Sequence, residues 1–309
     1  MIDIIDFSKT KNARGVFYGG DAGAKEAIEY DNAIWMVKYP KTTRDLINPQ
    51  ISYTTSPLSE YIGSKIYEML GLPVHEVVLG TRKNKIVAAC KDFTSRDVAL
   101  IHFHYLKNAF MSSDIDNYSG TGSETSLDEV LATINGEETL TSLAGVKERF
   151  WDMFIIDAFI GNNDRNNGNW GVILDQRTGE FSLAPVYDNG NAFFNKRSIT
   201  QMEKRLDNAT AMEEDAYKTL RCAYKYKGLD NESHSINPFD FISNTKISEC
   251  IAALERFVSK VCIDDVSKMI DAIPEHYEAL SVMPNVQKTF YIKLMEIRLD
   301  KLASILKGF

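Results

Sequence analysis

The sequence predicts an α+β protein in two parts, a small strand-rich N-terminal part and a larger, mostly helical remainder. Three observations carry this. Short β-branched and aromatic runs crowd residues 14–92, a single apolar stripe at helical spacing interrupts them, and from about Ser95 onward helical patterns dominate. A length of 309 residues suits two domains or two lobes, each able to bury a core.

Residues 14–18 and 33–39 read as strands on either side of a segment containing Gly19, Gly20 and Gly23, together a hairpin-like flap. Ser56 then reads as a helix N-cap with Pro57 at the first helical position, and Gly71 and Pro73 supply the stop. Leu58, Ile62, Ile66, Met69 and Leu70 form the stripe of that helix. Two more strands, 73–80 and 85–91, follow around a turn at 81–84. The first part is thus a small antiparallel sheet carrying one helix.

The stretch 148–160 is apolar almost all round, the pattern of a helix buried within a domain, and Gly161 ends it. A polar loop, 162–169, leads into a second hairpin of 170–174 and 181–184. After Asp188 a polar stretch enriched in Lys and Arg runs to about Ser235, and helices return from Ser248, the clearest being 286–306. No internal repeat, low-complexity tract or flexible linker is visible.

With 44% apolar and 25% charged residues, the composition is globular. The 35 Lys and Arg against 43 Asp and Glu give −8, which argues against nonspecific nucleic-acid binding but not against an anion that carries its own divalent cation. Cys90, Cys222, Cys250 and Cys262 are scattered, as reduced thiols of a cytosolic protein would be. The N-terminus is acidic and no apolar run approaches the roughly 20 residues that span a bilayer. The chain therefore reads as cytoplasmic and not membrane-bound, with release from the cell left open.

The chemistry concentrates in one segment. The buried helix delivers a short polar loop holding Asp164 and, five residues on, Asn169, and the following hairpin returns Asp188 to the same end. Mg²⁺ prefers hard oxygen ligands, so Asn169 and Asp188 make a metal pair while Asp164 is left to act as a base. In phosphoryl transfer an Asp near the attacking hydroxyl orients it and accepts its proton. An EF-hand reading fails, because a loop starting at Asn163 puts Arg165 at a ligand position and Leu174 where the bidentate Glu belongs. Asp157 reads as a structural carboxylate bonded to loop amides or to Arg165. His102 and His104 alternate as strand ligands might, but no third ligand accompanies them.

The run from Asp164 to Asn169, with Tyr187 and Asp188, resembles the catalytic and metal-binding motifs of the HipA-like kinase superfamily, and in particular its compact CtkA-like serine/threonine kinases. The resemblance extends upstream in collinear order. Residues 18–25 take the place of the phosphate-covering loop, so that Gly19, Gly20, Gly23, Ala24 and Lys25 would contact the nucleotide. Lys38 looks like the strand lysine that meets the phosphates, and Glu60 like its carboxylate partner, with Glu68 as the alternative. Residues 87–93 look like the adenine hinge, offering Cys90, Lys91 and Phe93.

The resemblance implies a bilobal kinase-like fold divided at 94–95, with residues 1–94 as the N-lobe and 95–309 as the helical C-lobe. It implies ATP and Mg²⁺ as cofactors and a protein Ser or Thr as the acceptor, and it leaves open a toxin-antitoxin setting with an antitoxin-like partner. Transfer to a small molecule or lipid, or a pseudokinase used as a binding module, are the alternatives. Two departures stand out. Residues 19–25 hold no Ser or Thr for autophosphorylation, leaving Ser56 and Ser59 as candidates, and Asn166 stands where the family often has His.

Overall fold

The computed structural model describes residues 2–19, 25–46, 49, 51–114, 120–228 and 232–309. Along the chain come β1 (Ile5–Asp6), β2 (Lys11–Asn12), β3 (Lys25–Tyr30), β4 (Ala33–Lys38), α1 (Ser56–Met69), β5 (Val77–Arg82), β6 (Lys85–Lys91) and β7 (Val98–His102). Next are α2 (Phe103–Asp114), α3 (Leu127–Gly136), α4 (Glu138–Ser142), α5 (Val146–Ile160), β8 (Gly171–Asp175) and β9 (Phe181–Leu183). Then follow α6 (Ile199–Leu206), α7 (Ala209–Glu213), a short hairpin of β10 (Lys225–Lys227) and β11 (Ser233–Ser235), and α8 (Pro238–Asn244). The chain ends with α9 (Ser248–Lys260), α10 (Ile263–Asp271), a hairpin of β12 (His276–Tyr277) and β13 (Leu280–Ser281), and the long α11 (Asn285–Leu306).

Two compact units emerge. The first takes Met1–Asp92, Asn189–Ala216 and Val261–Arg298; the second takes Phe93–Asp188, Tyr217–Lys260 and Leu299–Phe309. This differs from a single division at 94–95, because two later segments are grouped with the N-terminal one.

The first unit holds a six-stranded sheet in the order β1-β5-β6-β4-β3-β2, with β1 parallel to β5 and the other pairs antiparallel. The β3-β4 hairpin turns at Asp31 and Asn32 and the β5-β6 hairpin at Lys83 and Asn84, all with positive φ. Two consecutive left-handed residues give a turn whose twist matches that of the flanking strands, and Asn and Asp tolerate it best. The turn of the β3-β4 hairpin thus lies at Asp31 and Asn32, residues 14–18 contain no strand, and residues 20–24 of the glycine segment lie outside the described residues. One face of the sheet buries Phe7, Ile28, Trp35, Val37, Tyr39, Val87 and Ala89. Helix α1 starts at Ser56 with Thr55 as its N-cap, one residue earlier than expected, and stops before Gly71.

In the second unit α5 buries Phe150, Trp151, Phe154, Ile155, Phe159 and Ile160, which lie all round the helix. Gly161 ends it at φ 70, a left-handed cap that glycine adopts without steric cost. A three-stranded antiparallel sheet, β7-β8-β9, adds a strand that the sequence did not reveal. Among the described residues no helix is long and apolar enough to cross a membrane.

Candidate active site

In the first unit, β4 ends at Lys38 and α1 presents Glu60. Lys38 Nζ donates to Glu60 Oε2 at 2.9 Å, and Glu60 is fully buried. Burial alone would raise the Glu60 pKa; the Lys38 ammonium and His75 outweigh it, and the carboxyl stays well below its ordinary range. His75 Nε2 lies 3.0 Å from the other oxygen, Oε1. Glu68, the alternative partner of Lys38, instead accepts from Lys65 at 2.7 Å.

Two anchors fix the N-terminal end of α1. Ser59 Oγ donates to Ala192 O at 2.9 Å and Thr55 N to Asn195 O at 2.8 Å, so the segment after Asn189 lies along the helix. Ser59 is buried, whereas Ser56 is half-buried.

Of the expected nucleotide-loop residues, Gly20, Gly23 and Ala24 lie outside the described residues. Lys25 opens β3 opposite Lys38 and donates to Gly19 O at 3.3 Å. Tyr18 Oη donates to Asp92 Oδ2 at 2.7 Å, tying the start of that segment to the end of the β6 region. Burial first, and then Asp92, push the Tyr18 pKa far up, so the phenol remains a neutral donor. Cys90 is buried in β6 opposite Met36 and Val77. The Lys91 side chain is drawn to Glu76 Oε2 at 3.0 Å, and Phe93, in the second unit, packs on Tyr187 with ring centroids 5.7 Å apart.

In the second unit Arg165 organises the polar loop. It is 2% exposed, donates through Nε to Asp157 Oδ2 at 2.8 Å and through Nη1 to Asn169 O at 2.9 Å, and also reaches Tyr187 O. Asn162 Nδ2 donates to Asp157 Oδ1 at 3.1 Å and its own Oδ1 accepts from Asp164 N at 3.1 Å. One buried carboxylate on α5 thereby gathers the loop and the backbone next to Asp188.

Within the loop, Asn166 Nδ2 donates to Asp164 Oδ1 at 2.9 Å, and Asn169 Nδ2 donates to Asp164 O at 2.6 Å. The second bond aims the Asn169 amide, leaving its Oδ1 as the atom for a ligand. Asp164 and Asn169 are half-exposed, and Asp188 holds φ 60. An amide oxygen and a carboxylate suit Mg²⁺ better than a soft metal. His102 Nδ1 instead meets Tyr187 Oη at 2.8 Å, a structural role.

Sequence reasoning missed His75 and Asn166. A lone His between a helix and a strand carries no periodic signal, whereas Asn166 shows in the sequence only as a departure from the family pattern. Among the described residues a carboxylate oxygen of Glu60, a ring nitrogen of His75 and Cys90 Sγ also lie within 4.8 Å of one another.

Taken with its solved relatives, the fold defines a kinase. The chain belongs to the HipA-like C-terminal domain family, which matches residues 20–264. It is 32% identical over 288 residues to the serine/threonine-protein kinase CtkA of Helicobacter pylori strain J99, covering 93% of this chain and 83% of that protein. The crystal structure of a Helicobacter pylori proinflammatory kinase CtkA superposes with a TM-score of 0.85 at 29% identity, covering 99% of this chain and 97% of that one. The HipA of a Shewanella oneidensis toxin-antitoxin complex with HipB and operator DNA gives a TM-score of 0.52 at 13% identity over 96% of this chain and 68% of that one, a likeness of fold alone.

Proposed function

We propose that this kinase transfers the γ-phosphate of Mg²⁺-bound ATP to a Ser or Thr hydroxyl of a protein. The observation that carries the reading is the buried Lys38–Glu60 pair, in which a carboxylate removed from water holds an ammonium whose side chain keeps 12% exposure. A lysine held this way is preorganised for phosphate oxygens, since little ordering is left when the nucleotide arrives.

Asp164 takes the part of the group that orients the acceptor hydroxyl and accepts its proton. Asn166 fixes one of its carboxylate oxygens, and among the described residues no donor engages the other. Asn169 Oδ1 and the Asp188 carboxylate would hold Mg²⁺, which supplies charge neutralisation at the phosphates. Arg165 keeps the loop in one shape without touching substrate. Ser56 is the half-buried hydroxyl best suited to autophosphorylation; Ser59 is buried and already donates to Ala192 O.

Titration calorimetry with ATP, with and without Mg²⁺, followed by mass spectrometry of the protein and of casein after incubation, tests this reading. Metal-dependent binding and phosphoserine or phosphothreonine are expected. Labelling of lipids or small alcohols with no labelled protein would point to a different acceptor class.

A further inference from the structure

We infer that His75, acting with Ser64 and Asn189, is a positioning group for phosphoryl transfer: it holds the second carboxylate oxygen of Glu60 and joins it to the residue that follows Asp188. The inference rests on the roles proposed above for Lys38, Glu60 and Asp188.

Lys38 donates to Oε2 of Glu60, and a carboxylate held at one oxygen can still rotate about its last torsion. Oε1 is buried and, among the described residues, no well-aligned hydrogen bond reaches it; His75 Nε2 stands 3.0 Å away. Leaving a buried carboxylate oxygen unpaired is costly, so the imidazole belongs to the state in which the pair is formed. His75 is itself buried.

The contact continues beyond Glu60. Ser64 lies one helical turn after Glu60 on α1 and therefore shares its face. Its Oγ is 3.3 Å from the same Nε2 and accepts from Asn189 Nδ2 at 3.0 Å. Ser64 and Asn189 are both buried. The next residue, Gly190, abuts the carboxylate by a second route, since a Cβ there would stand 3.0 Å from Glu60 Oε2. Two successive residues after Asp188 are thus registered on the carboxylate that holds Lys38, one by a chain of polar contacts and one by close approach.

A purely structural histidine would affect stability alone, and a metal site built with Cys90 would give His75 another purpose. The test compares His75→Ala, His75→Gln and Ser64→Ala, each in the wild-type and Glu60→Gln backgrounds, for transfer from labelled ATP to casein. His75→Ala should lower kcat about tenfold or more with little change in the KM for ATP, as misplacement of a charged group does. His75→Gln, which keeps a donor, should restore most of the rate, and in Glu60→Gln the loss of His75 should change nothing further.

Unchanged kcat with only a lower Tm, or an equal further loss in the Glu60→Gln background, would overturn the proposal. So would stoichiometric zinc in the purified protein that disappears in Cys90→Ser. The ¹⁵N shifts of the His75 ring give a readout that needs no activity: they should move in Asn189→Ala, which removes the donor to Ser64 Oγ, and unmoved shifts would overturn the chain of contacts. A wild type that labels no acceptor while those shifts move refutes the kinase reading and not the network.

Discussion

Glu60 is a carboxylate taken wholly out of water and held by an ammonium on one side and an imidazole on the other. Removing one partner of such a pair strands the other, so Lys38→Met should destabilise by about 3–5 kcal/mol in thermal or denaturant unfolding. The pair also sets an acid limb. Because the folded-state pKa of Glu60 lies below its ordinary value of 4.5, the stabilisation is present above that pH and is lost as pH falls through the lower folded value. Stability measured from pH 6 downward should therefore fall less steeply in Glu60→Gln, and an identical slope would contradict the ion pair. Asn166 Nδ2 holds the Asp164 carboxylate by one bond, so Asn166→Ala should lower kcat about tenfold while leaving the KM for ATP nearly unchanged. The residues proposed to offer oxygen or positive charge stood out in the sequence because their spacing and order matched a chemistry. His75 was not, because its partners are separated from it by the fold and not by a periodic interval.

At the scale of elements, the strongest sequence signals were the interrupted ones. Helix α1 was found from Pro57 and Gly71, and α5 from an apolar run closed by Gly161. Strand β3 was missed because Lys25, Glu26 and Glu29 give it a polar look; what makes it a strand is its pairing with β4, where Ile28 lies opposite Trp35. Residues 14–18 carry the right residue types but no strand, so propensity without a partner did not decide. The polar loop at 162–169 depends on an equally nonlocal contact, Arg165 with Asp157. Arg165→Met should cost about 3–5 kcal/mol and abolish transfer, whereas Arg165→Met with Asp157→Leu should recover much of the stability and none of the activity, because a buried pair can be replaced by apolar packing. Activity in the double variant would show that the clamp does not shape the loop.

For the whole molecule, the chain's path was the least legible feature. Composition allowed two domains, but Asn189–Ala216 and Val261–Arg298 are grouped with the first unit. Ile2 N donates to Ala272 O at 2.9 Å, and Thr55 Oγ1 meets Tyr291 Oη at 3.2 Å, contacts between segments more than two hundred residues apart. No local pattern encodes such closures. A fragment ending at residue 260 should therefore lose protease resistance within 2–92, and a fragment as resistant as the full chain would contradict the shared unit. A net charge of −8 requires that any nucleotide be met by a few placed charges and a metal, not by a global field. The most direct measurement is transfer of label from γ-³²P-ATP by wild type, Asp164→Ala and Asp188→Asn with Mg²⁺ present. The expected result is labelled protein with wild type and a loss of at least about a hundredfold in each variant; tight Mg²⁺-dependent ATP binding and full transfer surviving in Asp188→Asn would contradict the assigned site.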